Sequence, residues 1–337
     1  MYASVGAVAT LSEPATWNQA LLGVTPHRGK ANSRFISFWL QHAAKEAMAD
    51  VRSSTQNNLN ADQVANFPFP DLSVEDQRRI ADFLDDQVAR IDNIISARRQ
   101  QIRGLSSLFD RRWTELAQEL ERNAPVVPIR RVLTSITDGP FGSSLTSSHY
   151  ADSGVRVIRL GNLGIDEFKA SDEAYISNDY GRELSGHSVS AGDLLMAGLG
   201  DKKWPLGRCC VAPVGLGGAI VKADCYRLRL DERVDHSFAS WYLSSPPARD
   251  RFQIISRGAT RARLNTGLAR EALIPLVSRN EQASIVAEAA ESRNRCRATE
   301  DGLIASIALL TEYKQSLITA AVTGELDVTT PSNRIPA

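Results

Sequence analysis

The chain has 337 residues, 43% of them hydrophobic, and its 39 lysines and arginines balance 39 aspartates and glutamates for a formal net charge of +0. That length supports two cores, and the neutral balance argues against a protein that merely coats nucleic acid. No run of about 18 apolar residues is present to span a membrane, and the first residues, with neither a basic region nor a clear apolar stretch, show no signal peptide.

Taken in chain order, GVTPHRGKA at 23–31 invites a phosphate-loop reading. Gly23 and Gly29 stand one residue too far apart, however, and Ala31 replaces the magnesium-binding hydroxyl. SRFISFWL then reads as a helix, with Phe35, Phe38 and Leu40 expected in a core. Ile80, Leu84, Val88, Ile91, Ile95, Ile102, Leu105, Phe109, Leu116 and Leu120 recur at steps of mostly three and four, predicting a long helix from about 74 to 120. Ser73 and Asp76 form an acidic variant of the capping box, and Pro125 and Pro128 mark the stop. At 1.5 Å per residue such a helix is roughly 70 Å long, a spacer or coiled-coil arm. It opens acidic, with Glu75, Asp76, Asp82, Asp85 and Asp86.

Residues 125–277 read as a mixed α/β domain, in which strand-like VRVIRL and AIVKADCYRLRL alternate with turn-rich stretches and one helix falls near His236–Leu243. A basic run, Arg249, Arg251, Arg257, Arg261, Arg263 and Arg270, is opposed only by Asp250. A second long helix is predicted from about Asn280 to Thr323, on the seam Ile285, Ala289, Cys296, Leu303, Ile307, Leu310, Leu317 and Ala321, with Gly324 as its C-terminal cap. Its early part, ESRNRCRATE, is a poorer seam. Cys209, Cys210, Cys225 and Cys296 lack zinc-ligand spacing and read as buried, reduced thiols of a cytoplasmic protein.

The chain also repeats itself. LNADQVANFPFPDLSVEDQRRI from Leu59 is echoed by LNTGLAREALIPLVSRNEQASI from Leu264, an offset of 205 (264 minus 59), which also pairs Pro70 with Pro275, Gln77 with Gln282 and Ile80 with Ile285. Phe35 matches Phe238 and Phe38 matches Trp241 at offset 203. Two large copies imply a pseudo-twofold molecule with its long helices packed antiparallel, suited to a partner with two similar halves; duplex DNA leads. The copies are unequal. Met1 corresponds to about residue 204–206, so what residues 125–203 supply in the second copy lacks a counterpart in the first.

With TDGPFGSSL at 137–145, VRVIRLGNL at 155–163, AGDLLMA at 191–197, SRGATRARLN at 256–265, IPLVSRNEQASIV at 274–286 and YKQSLITAAVTGEL at 313–326, the chain resembles the specificity subunit of type I restriction–modification systems. The resemblance implies an α+β protein: mixed α/β target-recognition domains joined by two long antiparallel helices that form a coiled-coil-like spacer. The domains would be 1–72 (a partial first recognition domain), 73–123 (first helix), 124–278 (second recognition domain), 279–324 (second helix) and 325–337 (tail). It further implies a non-catalytic reader of a bipartite double-stranded DNA target, without cofactor or metal, that docks methyltransferase and restriction subunits. Arg98, Arg99, Trp113, Tyr313, Leu317 and Glu325 are the expected partner contacts. Either the first recognition domain is degenerate or mis-started, or a second polypeptide supplies its missing part. The competing reading is an interaction remnant that binds methyltransferase subunits without DNA specificity.

Three loops of the second domain are expected to face DNA. In 138–148 and just beyond, Gly139 and Gly142 allow close backbone approach, and Ser143, Ser144 and His149 offer donors; a solvated turn is the alternative. In 201–204, Lys202 and Lys203 suit phosphates and Trp204 is a wedge or a packing plug. In 257–265, Arg257, Arg261, Arg263 and Asn265 could reach bases or phosphates. Enzymatic signals are negative. SSPPARD at 244–250 lacks the amide and the aromatic ring of an adenine-methyltransferase loop. Asp152, Glu167 and Lys169 only sketch a metal-dependent nuclease set, because IDEFKAS reads more simply as an exposed turn.

Overall fold

The computed structural model describes residues 7–27, 29–50, 59–201, 203–256 and 262–328, with backbone alone at 48–50. Two compact units emerge. One comprises 1–103 with 299–337, the other 104–298. Both long helices run through both units.

The first unit contains α1 (Ser33–Asp50), α2 (Ala61–Ala65) and the beginning of α3 (Val74–Asn123). Its core packs Phe35, Phe38 and Trp39 of α1 with Ile80, Leu84, Ile91 and Ile95 of α3. The far end of the second long helix completes it through Leu317, Ile318, Ala321 and Val322. The two long helices run antiparallel here, and Lys314 reaches Asp92 at 2.7 Å. The acidic opening of α3 has a local reason: Arg34 of α1 bridges Asp82 and Asp85, each at 2.6 Å. Ser73 caps α3 by accepting from Asp76 N–H at 3.1 Å, and its hydroxyl donates to the Asp76 carboxylate at 2.7 Å.

The second unit starts on the last turns of α3 and continues through β1 (Val126–Pro128), β2 (Leu133–Thr137), β3 (Tyr150–Ala151), β4 (Val155–Ile158) and β5 (Tyr175–Ile176). Next come α4 (Asn178–Glu183), β6 (Ser188–Val189), β7 (Leu194–Ala197), β8 (Cys209–Val211), β9 (Ala219–Val221) and β10 (Cys225–Leu230). It closes with α5 (His236–Leu243), α6 (Pro246–Ile255), α7 (Thr266–Ala269), β11 (Leu273–Pro275) and α8 (Arg279–Thr323). One antiparallel sheet has the order β2-β10-β7-β8; the other, β3-β5-β4-β9-β6, holds one parallel pair, β4 with β9. β1 pairs with β11, Val127 opposite Ile274, so the globular part leaves next to where it enters. Trp113 of α3 stacks on Trp241 of α5 with ring centroids 6.3 Å apart, and both are buried. Arg112 and Glu288 approach to 3.5 Å across the antiparallel helices. α8 stops where expected. Gly324 takes φ +83°, and Leu326 N–H closes on Ala320 O at 2.9 Å.

The repeat is visible as duplicated hydrogen bonding. Gln77 is 1% exposed; it accepts from Asn32 N–H at 2.9 Å and donates to Leu72 O at 3.0 Å. Gln282, 0% exposed, accepts from Asp235 N–H at 2.7 Å and donates to Val277 O and Arg233 O, both at 2.8 Å. Asn32 and Asp235 each cap the helix that follows, through Phe35 N–H and Phe238 N–H respectively. A buried amide near the start of each long helix thus pins the cap of the preceding helix.

One expectation fails. IDEFKAS is not a simple exposed turn. Asp166, at φ +53°, is held by Ser240 of α5 and by the Arg293 guanidinium of α8, while Glu167 meets Arg297 at 2.7 Å. The polar early part of α8 is a poor apolar seam because arginines one turn apart dock this turn.

Candidate nucleic-acid interface

Around Arg263 the third expected loop meets the first and the stretch 198–200 that leads into the second. Leu199 and Arg263 form an isolated antiparallel bridge, Gly200 N–H donates to Ala262 O at 3.1 Å, and Leu264 N–H donates to Gly198 O at 2.9 Å. These bonds join the stretch just before the second loop to the third. The Arg263 guanidinium lies 5.8 Å from the Phe141 ring centroid of the first loop and pairs with Asp224 at 2.8 Å. Tyr226 OH, from β10, holds Leu264 O at 2.5 Å.

Asp138 anchors the first loop. Its Oδ1 accepts from Gly139 N–H at 2.7 Å and Asp224 N–H at 2.9 Å, and His187 Nδ1 lies 2.6 Å from its carbonyl. Burial pushes its carboxyl up to about 6, against the pull of those two N–H groups. Gly139 is required by packing, because a Cβ there would fall 2.1 Å from the Lys222 backbone. Gly142 stands at φ +60° with open space around it, and Ser143 and Ser144 are exposed. His149 is half-buried, stacked on Tyr180 at 4.7 Å, and its Nδ1 accepts from Thr146 N–H at 3.0 Å.

In the second loop, Asp201 accepts from the backbone N–H groups of Lys203 and Trp204, both at 2.8 Å. Trp204 is half-buried beneath Lys169, whose Nζ sits 3.7 Å from the ring centroid; Lys203 is exposed. Lys202, Arg257 and Arg261 lie outside the described residues. Asn265 is occupied as the cap of α7, accepting from Leu268 N–H at 2.8 Å.

The described members of the basic run do not share one face. Arg251 turns to Glu121 of α3 at 2.8 Å, beside Tyr242, and Arg249 is half-buried with its pKa lowered by burial. Of the expected partner contacts, Trp113 and Leu317 are 4% and 6% exposed and serve packing within their units, so neither offers a partner surface. Arg98 is half-buried and donates to Gln101, whereas Arg99, Tyr313 and Glu325 are exposed.

The sequence reading missed Phe141, Arg208, Lys222 and Asp224, and placed Lys169 only in a nuclease set. Asp224 carried a faint signal, because an Asp before a strand tolerates the positive φ, here +63°, that its turn needs. Cys209, Cys210 and Cys225 are buried free thiols, their pKa values raised by desolvation, which keeps them unreactive. Glu167 and Lys169 are engaged with Arg297 and Trp204. Among the described residues no group of three or more His, Cys, Asp or Glu could hold a metal ion, and no helix is long and apolar enough to cross a membrane.

Residues 1–103 match the family model of the type I restriction modification DNA specificity domain. A solved chain from work on complex assembly and conformational transition of the type I R-M system is 18% identical, with 89% of this chain and 73% of that chain covered at a TM-score of 0.69. The HsdS subunit from Thermoanaerobacter tengcongensis (17% identical, 89% and 72% covered, TM-score 0.47) and the type I S subunit from M. genitalium (14%, 86% and 72%, TM-score 0.39) are more distant. No curated protein sequence matches.

Proposed function

We propose, from the premise that this chain carries a type I restriction modification DNA specificity domain, that it is the non-catalytic sequence-recognition subunit of such a complex. The family match covers residues 1–103. The duplicated Gln77 and Gln282 clamps extend the relationship to the second unit, where the candidate DNA loops lie. The observation that carries the reading is the meeting of the first loop, the third loop and the stretch 198–200 before the second at the exposed Arg263. Loops arranged on a sheet scaffold suit reading of base edges and phosphates.

In this reading the second unit takes one half of a bipartite duplex target. The antiparallel long helices separate the two halves and dock methyltransferase subunits, which restriction subunits join, in the cytoplasm. Arg99, Tyr313 and Glu325 remain on the exposed surface available to such partners. Arg263→Ala is expected to weaken target binding by about 1–3 kcal/mol. A gel-shift titration of the full chain with its methyltransferase partner measures this, and unchanged affinity removes Arg263 from the interface. One observation favours the interaction-remnant reading. Leu21, Leu22 and Val24 are 64%, 48% and 47% exposed, so the first unit offers no finished reader among its described residues. A strand-bearing segment supplied by a second polypeptide would complete it. Assembly with methyltransferase subunits without any target preference would support the remnant.

A further inference from the structure

Beside the Arg263 loops lies a cavity of about 180 Å³, lined by Gly161, Leu199, Gly200, Asp201, Trp204 and Arg208 among others. Its wall at Leu199 and Gly200 is the backbone that bridges Arg263 and bonds Ala262, so the cavity adjoins the proposed interface. Three cations gather around one indole. Lys169 Nζ lies 3.7 Å, Lys203 Nζ 5.6 Å and the Arg208 guanidinium 5.9 Å from the Trp204 ring centroid.

Arg208 is 3% exposed. It donates to Leu163 O at 2.6 Å, Leu160 O and Leu199 O at 3.0 Å and Pro205 O at 3.1 Å. These acceptors are neutral, so they satisfy its donors without cancelling its charge, and a guanidinium stays protonated even where burial lowers its pKa. Nearby acids are largely committed elsewhere, Glu167 to Arg297 and Asp172 to Arg159. Among the described residues Asp201 is the one acid lining the cavity, which Arg208 lines but Lys169 and Lys203 do not; the three cations meet at the Trp204 ring. The negative face of the indole offsets part of their mutual repulsion, and an anion between them would offset the rest.

We infer that Lys169 and Lys203, spread over Trp204 with Arg208 behind, form a phosphodiester-gripping subsite of the DNA interface. The inference rests on the recognition reading above and adds the part of the DNA that this place would take. The subsite holds the backbone and sets register; it does not read bases. Trp204 is then a platform that orients two ammonium groups, and neither of its faces is needed for a base.

The test is the salt dependence of binding by the full chain with its methyltransferase partner. Probes are the duplex that methylation mapping identifies and a scrambled duplex of equal length. Lys169→Ala and Lys203→Ala should each lower the slope of log affinity against log salt by about 1, and weaken binding to both duplexes by the same factor. Lys169→Arg should retain the slope. A double variant with the wild-type slope, or a loss confined to the target duplex, overturns the inference. If Lys169→Ala fails to fold, the exposed Lys203→Ala alone decides. Should the wild type fail to prefer its target, the recognition reading falls. A slope lowered by the lysine variants would still stand as a non-specific phosphate site.

Discussion

Residues 21–24 and residues 225–228 each follow a turn, in two different surroundings. Leu21 N–H turns back on Asn18 O at 3.1 Å, as Cys225 N–H does on Lys222 O at 3.0 Å, 204 residues on (225 minus 21), close to the offsets of 203 and 205 that the repeat shows. In the second unit the following residues become β10, paired with β2 on one side and β7 on the other, and Cys225, Tyr226 and Leu228 are 0%, 1% and 0% exposed. Their counterparts in the first unit pair with no strand among the described residues, and Leu21, Leu22 and Val24 stand open. The local turn therefore forms from its own residues, whereas the strand and its burial depend on neighbours that residues 125–203 supply in the second copy.

The largest expected effect is at β10. Leu228→Ala is expected to destabilise the second unit by about 3 kcal/mol, the usual scale for emptying a buried leucine site. Val24→Ala, its counterpart, should change stability by less than about 0.5 kcal/mol. Urea unfolding followed by tryptophan fluorescence and by hydrogen exchange compares the two. Equal costs would mean that Val24 is covered in solution.

The glutamine clamps sharpen the comparison next. Gln282→Ala strands Asp235 N–H, Arg233 O and Val277 O and should cost about 2 kcal/mol, since each buried group left unpaired is penalised. Gln77→Ala releases only Asn32 N–H and Leu72 O and should cost less. Thermal melts of the two variants would contradict this if Gln77 proved the more costly loss.

The smallest effect is at Asp138. Burial raises its carboxyl to about 6, so between the ordinary carboxyl pKa and that value the folded state binds more protons than the unfolded chain. Its contribution to stability is present when it is protonated and is lost as pH rises toward and through 6. Asp138→Asn keeps an oxygen for Gly139 and Asp224 and should flatten this part of the stability–pH curve. An unaltered curve would place the pH dependence elsewhere.

The long helices were legible because their seams, Ser73 cap and Gly324 stop are local signals that survive in the structure. The α5 boundaries were legible too, from aromatic spacing that proved to be core packing at Phe238 and Trp241. The candidate interface was legible only as loops. That Arg263 pairs with Asp224, that Lys169 rests on Trp204 and that Arg251 turns inward to Glu121 are long-range pairings, and no periodicity encodes them. The docking of Arg293 and Arg297 on Asp166 and Glu167 was hidden for the same reason, since the helix and the turn lie more than a hundred residues apart.

The most direct test of the central claim is methylation mapping of genomic DNA from cells carrying this chain with its methyltransferase partner, beside cells carrying Arg263→Ala. The account predicts adenine methylation at a defined sequence in the first cells, and loss or relaxation of one half of that sequence in the second. Methylation that follows the same sequence in both, or none attributable to this chain, would contradict it.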